Sequence, residues 1–379
     1  MKKDIWCTLG PSSLNQRVIK RLEDLGVTVF RINLSHTRIT DLRSIIERIS
    51  NITDVPICLD TEGPQIRTGS IKNDNMKLVT DRSIKIVKNP IIGNKGDFSL
   101  YPQSVFKQLK VEDALQIDHD SALIKIIEIN SKYAQCRVLN GGIIGQNKAV
   151  DLNRIIIMES LTPKDYKAIN IGLNCGIDHF ALSFCESIDV IRNVRSIVGK
   201  DKYITAKIES IGGLNNLGKI IDESDAILID RGDLSRQISS EKIPFFQKEI
   251  INAANSKGRL VYVATNLLES MTNNLFPTRA EVSDVYNTLG DGADGLVLAA
   301  ETAIGKHPIQ SVTIISNIIK QYTNKTNKRS VLISNDVEDN YSSALIEPHG
   351  GSLVNSVIVN PDLDQLSFNK NLHVNMETL

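Results

Sequence analysis

A TIM (β/α)8 barrel with a small β domain inserted after its third strand is the α/β architecture that this sequence predicts. Three observations predict it. Short runs rich in Val, Ile, Leu and Ala, as in parallel strands buried on both faces, alternate with amphipathic stretches of helical period. The alternation yields eight strands and eight helices in strict order, which close most simply as a barrel. It is interrupted once, over roughly 70–152, by short segments of two-residue period separated by Gly, Asn and Asp. A doubly wound open sheet is the alternative, but no G-x-G-x-x-G follows the first strand.

The units run as follows. "DIWCTLG" (4–10) precedes the helical "LNQRVIKRLEDLG" (14–26), which a glycine closes. "TVFRINLS" (28–35) precedes "ITDLRSIIERISN" (39–51), and "VPICLDT" (55–61) is the third strand. The helix over 162–176 then restores the alternation, followed by strand 178–184, helix 187–199, strand 203–210 and helix 212–224. Strand 226–232, helix 245–258, strand 260–265, helix 279–292, strand 295–301 and helix 308–322 complete it. The expected division is a barrel over 1–69 and 153–325, an inserted β lid over 70–152, a polar linker over 326–343, and the start of a further domain over 344–379. An insertion at a strand's carboxyl end stands over the barrel mouth and can serve as a lid.

Bulk properties narrow the function. The chain has 379 residues, 44 basic and 44 acidic, so no global charge draws it to nucleic acid or anionic lipid. "MKKDIWCTLGPSS" lacks an apolar core for a signal peptide, and no run of about 18 apolar residues exists for a membrane span. A cytoplasmic location is expected. Cys7, Cys58, Cys136, Cys175 and Cys185 are odd in number and form no CxxC pair, so free thiols are expected rather than disulfides or zinc ligands.

In a barrel of this kind, functional groups come from the carboxyl ends of different strands. Those ends carry Thr8 (first), Arg31, Asn33, Ser35 and His36 (second), and Asp60 and Thr61 with Arg67 beyond (third). The fourth ends in Ser183 and Phe184, and the fifth carries Lys207 and Glu209. Arg231, Gly232 and Asp233 follow at the sixth, Thr265 at the seventh, and Glu301 and Thr302 at the eighth. Alternation places Arg31, Asn33 and Ser35 on one strand face, and Lys207 with Glu209 on another. Charge on an inward face is costly unless it binds something or is paired. Glu209 and Asp233 are candidates to hold a divalent cation, with substrate oxygens completing an octahedron. Arg31, Arg67 and Lys207 are candidates to neutralise a transferring phosphoryl group. Asn33, Ser35, Asp60 and Thr61 offer the oxygens of a monovalent-cation cage.

Over about 4–322 the chain resembles pyruvate kinase. The motifs are "TLGPSS", "FRINLSH", "LDTEGPQIRTG", "AKIES", "DRGDLS", "ATNLLESM", "PTRAEVSDV" and "GADGLVLAAETAIGKHP", in the family's order. The resemblance implies a phosphoenolpyruvate-dependent phosphotransferase using Mg2+ or Mn2+, with K+ as a further cation and ADP/ATP or a related nucleotide as co-substrate. It implies that Lys207 stabilises the transferred phosphoryl group and the enolate, that Arg31 and Arg67 bind phosphate, and that Glu209 and Asp233 ligate the divalent metal. Thr265 is implied in proton delivery, with Ser183, Phe184, Arg231, Gly232 and Asp233 at the substrate. Asn33, His36, Arg67 and Lys148 fall at nucleotide-site positions, and Asn33, Ser35, Asp60 and Thr61 at the potassium cage. The segment 261–285 resembles a loop that contacts the substrate carboxylate and packs between subunits, so a homo-oligomer, dimer or tetramer, is expected.

Departures from the family pattern are specific. Gln65 stands where potassium-dependent members carry Glu, which leaves potassium dependence open. "KAVDLNR" replaces the "GVNLPG" pattern at the lid hinge, and the family's C-terminal regulatory domain is not expected. In the tail, "LIEPHGGSLVNSVIV" resembles the opening of ATP sulfurylase, which suggests a truncated fusion linked to sulfate activation and adenylyl sulfate as an alternative acceptor. Two other functions stay open: a metal-enolate aldolase or lyase of the phosphoenolpyruvate/pyruvate barrel group, and a catalytically inactive regulatory barrel.

Overall fold

Eight parallel strands close on themselves in this computed structural model, which describes residues 2–118, 121–154, 156, 158–335, 345–349 and 352–356. The barrel strands are Asp4–Thr8, Val29–Asn33, Ile57–Asp60, His179–Leu182, Tyr203–Ile208, Ala226–Asp230, Leu260–Ala264 and Gly295–Leu298. The first pairs with both the second and the eighth, so no edge is left open. The barrel interior is filled at one level by Trp6, Tyr262 and small residues such as Ala181 and Ala226. Trp6 stacks between His179 and Tyr262 at ring separations of 4.8 and 4.4 Å.

The helices pack outside for the reason their sequences give. In Ile39–Ser50 the buried residues are Leu42, Ile46 and Ile49, one stripe at helical spacing. Each such side chain contributes roughly 1.5–3 kcal/mol when fully buried. Two helices begin with reciprocal capping boxes, Thr162 with Asp165 and Thr278 with Glu281. Both boxes also do work at the barrel mouth. Asp165 accepts from the Glu62 and Gly63 N–H groups (2.7 and 3.1 Å), pinning the loop after the third strand. Glu281 accepts from the Ser270 N–H and hydroxyl (2.7 and 2.6 Å), pinning the loop after the seventh.

The inserted segment has its own core, including Ile86, Phe98, Leu115, Ile124 and Val138. Its seven-stranded sheet starts at Arg67–Thr68 and ends at Val150–Leu152. The outgoing and returning chains touch at the hinge, where Val150 N–H donates to Ile66 O and Thr68 N–H to Lys148 O (both 2.8 Å).

Three local differences from the sequence reading have simple causes. The second strand stops at Asn33, because the Asn33 side chain accepts from the Ser35 N–H (2.9 Å) and starts a turn; Ser35 therefore leaves the strand face. The helix expected over 212–224 is two helices, Ile211–Asn215 and Leu217–Glu223, divided at Asn216. The last helix, Pro308–Asn335, continues well beyond residue 322. Residues Thr323–Leu379 are a second unit, whose described part beyond the helix is a hairpin of Leu345–His349 and Ser352–Ser356. The rest of the sulfurylase-like segment lies outside the described residues. Among the described residues, no helix is long and apolar enough to cross a membrane, and all five cysteines are free.

Candidate active site

The carboxyl ends of the strands meet around Lys207. Its ammonium lies 2.7 Å from Glu209, 3.2 Å from Asp60 and 3.7 Å from Asp230, and donates to the Ser183 hydroxyl at 3.0 Å. Burial alone would lower its pKa, but the Asp60, Glu209 and Asp230 carboxylates outweigh burial and hold it above the usual lysine range. Lys207 is therefore a fixed cation, not a proton shuttle.

Glu209, Asp230 and Asp233 bring carboxylate oxygens within 4.8 Å of one another. Burial first, and then the neighbouring carboxylates, push the Glu209 pKa up to about 8 against the pull of Lys207. One Glu209 oxygen accepts from the Phe184 N–H at 2.6 Å. The other is buried and, although close to Lys207, makes no hydrogen bond of acceptable geometry. That oxygen is ion-paired with the Lys207 ammonium at 2.7 Å and, making no hydrogen bond, keeps lone-pair capacity for a second cation. Three oxygen donors of this kind suit Mg2+ or Mn2+ rather than a softer metal.

Backbone strain marks the same place. Phe184, Thr265 and Asn266 have φ of 51°, 65° and 52°, which is rare for an aromatic and for a β-branched residue. The strain is compensated locally. The Thr265 hydroxyl accepts from the Gly232 N–H (2.7 Å) and donates toward Asp230 (3.0 Å). Gly63, at φ 69°, lies where a Cβ would come within 2.8 Å of the Ser183 Cβ, so only glycine lets these two loops meet.

The other expected site residues divide into those that face the cleft and those that build it. Asn33, Ser35, His36, Arg67, Lys148, Ser183, Lys207 and Asp233 line a cleft of about 260 Å³ between the barrel mouth and the lid. Lys148 pairs with Asp118 at 3.1 Å. Arg67 is held by the Gln65 amide oxygen (2.8 Å) and Asn147 O (2.9 Å), while its Nε is buried without a partner. Gln65 thus orients the guanidinium through a neutral oxygen. Arg31 does not line the cleft: it is buried, donating to Asp60 (2.8 Å) and Thr8 (2.8 Å). Asp60 has one oxygen on Arg31 and the other near Lys207 and Ser183, and the Thr61 hydroxyl accepts from the Ser183 N–H (2.9 Å). The four oxygens expected to form a monovalent-cation cage are therefore split between the cleft and buried protein contacts. Arg231 turns to the loop after the seventh strand, binding Thr265 O (2.8 Å), Asn266 O (2.8 Å) and Asp284 (2.8 Å).

Sequence reasoning missed Asp230 and Arg236. Asp230 closes an apolar strand, the available signal for a residue at the mouth. For Arg236 the sequence offered only its i,i+3 spacing from Asp233, because its other partner, Asp151, lies 85 residues away.

Comparison with known proteins places the chain in a family. Residues 1–312 match the family model for the pyruvate kinase barrel domain. The chain is 34% identical over 330 residues to a pyruvate kinase of Thermotoga maritima, covering 85% of this chain and 71% of that protein. It is also 34% identical over 323 residues to one of Thermoplasma acidophilum, covering 84% of this chain and 58% of that protein. One from Bacillus licheniformis is 29% identical over 371 residues, covering 94% of this chain and 63% of that protein. The chain thus spans between about three fifths and seven tenths of the length of these relatives.

Proposed function

The chain belongs to the pyruvate kinase family of kinase-type enzymes, and from that premise we propose that it transfers a phosphoryl group between phosphoenolpyruvate and a nucleotide, ADP by default. The observation that carries this reading is the buried Lys207 among Asp60, Glu209 and Asp230, beside a Glu209 oxygen that lacks a hydrogen bond. Phosphoryl transfer needs positioning and charge stabilisation more than covalent help, and this cluster supplies both.

Glu209 and Asp233, joined by Asp230, would hold Mg2+ or Mn2+. Bound there, the cation supplies Lewis-acid neutralisation of substrate oxygens. Lys207 faces the developing charge on the phosphoryl group and on the enolate. Arg67, with its unpaired Nε, and Lys148 on the lid orient the nucleotide phosphates, beside Asn33 and His36. Thr265 would deliver the proton, and Arg231 fixes the Thr265 backbone. Ser183 would present its hydroxyl to the substrate, while the Phe184 and Gly232 N–H groups hold Glu209 and Thr265 beside it. Arg31 acts from behind, holding one Asp60 oxygen while the other faces Lys207. Potassium would take Asn33, Ser35, Asp60 and Thr61, of which Asp60 already has two cations as neighbours. Assembly as a homo-oligomer is part of the same proposal, as is action in the cytoplasm.

The tail motif motivates adenylyl sulfate as a second acceptor and a link to sulfate activation. A lyase acting through the same carboxylates would leave Lys148 without a phosphate to meet. The test is pyruvate formation from phosphoenolpyruvate and Mg2+, with ADP and adenylyl sulfate compared as acceptors. Turnover with ADP supports the main reading, turnover with adenylyl sulfate alone supports the second, and no pyruvate from either overturns both.

A further inference from the structure

Arg236 joins two parts of the molecule that the chemistry so far treats separately. Its Nε and Nη2 grip both oxygens of Asp151 at 2.9 and 2.7 Å, a bidentate fork. Its Nη1 donates to Asp233 at 3.0 Å. The Arg236 side chain is only 6% exposed, so this bridge is not a loose surface pair. Asp151 sits in Val150–Leu152, the strand by which the chain returns from the lid to the barrel. That strand pairs with Ala114–Ile117 of the lid and, through Val150 N–H, with Ile66 O of the hinge. Asp151 lies in "KAVDLNR", the hinge sequence that departs from the family pattern.

We propose that Arg236 is a positioning residue that couples the lid hinge to the divalent-cation site, with Asp151 as its counter-ion. This rests on the reading of Glu209, Asp230 and Asp233 as cation ligands. A cation drawing on Asp233 competes with the guanidinium for the same carboxylate. Asp151 decides the outcome, because it neutralises Arg236 and gives the displaced N–H a second acceptor. The hinge strand therefore responds to occupancy of the cation site, and by linkage the hinge biases cation affinity by the same factor.

The experiment uses the full chain without nucleotide. Mn2+ binding is read by electron paramagnetic resonance, and exchange of the 150–152 amides by hydrogen–deuterium mass spectrometry with and without Mn2+. In the unmodified protein, Mn2+ is expected to change exchange at 150–152 by about threefold or more. Asp151→Asn leaves a bare guanidinium beside the cation and is expected to weaken Mn2+ binding about fivefold or more. Arg236→Met is expected to bind Mn2+ at least as well as the unmodified protein and to lose the Mn2+ response at the hinge. A pair that only stabilises the fold would lower the melting temperature without moving either readout. Unchanged Mn2+ affinity in Asp151→Asn, or a normal hinge response in Arg236→Met, overturns the inference. Should Arg236→Met not fold, the Asp151→Asn affinity decides alone. Absence of stoichiometric Mn2+ binding in the unmodified protein instead overturns the cation reading beneath it.

Discussion

Replacing Lys207 by methionine removes the side chain that contacts Asp60, Glu209 and Asp230 together. The ammonium sits 3.2 Å from Asp60, 2.7 Å from Glu209 and 3.7 Å from Asp230. At an effective dielectric constant near 20, each contact is worth roughly 4–6 kcal/mol before desolvation is subtracted. Removing one partner of buried charges typically costs about 3–5 kcal/mol of stability. The catalytic loss is separate. A preorganised group aimed at charge that develops in the transition state contributes about 2.7–4 kcal/mol to the barrier. That corresponds to a fall in kcat of about 10²–10³. Stopped-assay pyruvate formation with saturating phosphoenolpyruvate, ADP and Mg2+ measures it, and urea melts with and without Mg2+ measure the stability loss. The KM for phosphoenolpyruvate should change less than kcat, because the lysine meets charge that grows only during transfer. A folded Lys207→Met protein with kcat within tenfold of the unmodified enzyme would refute the reasoning.

Other side chains lead to further expectations. Burial holds the His179 pKa down to about 4 in the folded state, where its Nε2 lies 2.8 Å from the Thr205 hydroxyl. The unfolded chain therefore takes up the proton first, and stability, full above about pH 6.5, falls by about 3 kcal/mol toward pH 4. His179→Gln should flatten that slope in urea melts at pH 7.5 and 5, and equal slopes would contradict the assignment. Gly63→Ala adds a Cβ 2.8 Å from the Ser183 Cβ at φ 69°, so it should lower stability by about 1–3 kcal/mol and reduce activity; a melting temperature equal to that of the unmodified protein would show that the loops can part freely. Because Arg31 and Lys207 already neutralise Asp60, turnover should persist in tetramethylammonium buffers without potassium. A potassium titration that restores activity from zero would show otherwise.

The barrel was legible because its signals are local. Apolar runs of four to six residues, a stripe such as Leu42, Ile46 and Ile49, and T-x-x-D or T-x-x-E capping boxes are all written within a few residues of the structure they cause. The charged strand ends were legible for the same reason, since Lys207 and Glu209 stand out against an apolar strand. Pairing was not. Nothing in "FRINLSH" says that Arg31 will turn to Asp60 instead of the cleft, because that choice depends on strand order and register, Arg31 facing Cys58 and Asn33 facing Asp60. Arg231 likewise reads as a ligand-binding cation, yet three acceptors on the neighbouring loop and helix claim it. The bridge from Asp233 through Arg236 to Asp151 appears only once the lid hinge and the sixth strand are brought together.

The central claim is that the acidic cluster around Lys207 exists to clamp a cation-bound phosphate ester. Anomalous scattering from crystals grown with Mn2+ and phosphoenolpyruvate tests it most directly. A single strong peak is expected among the carboxylates of Glu209, Asp230 and Asp233, with the Lys207 ammonium facing the ester. A peak elsewhere, or none under conditions that support turnover, would contradict it.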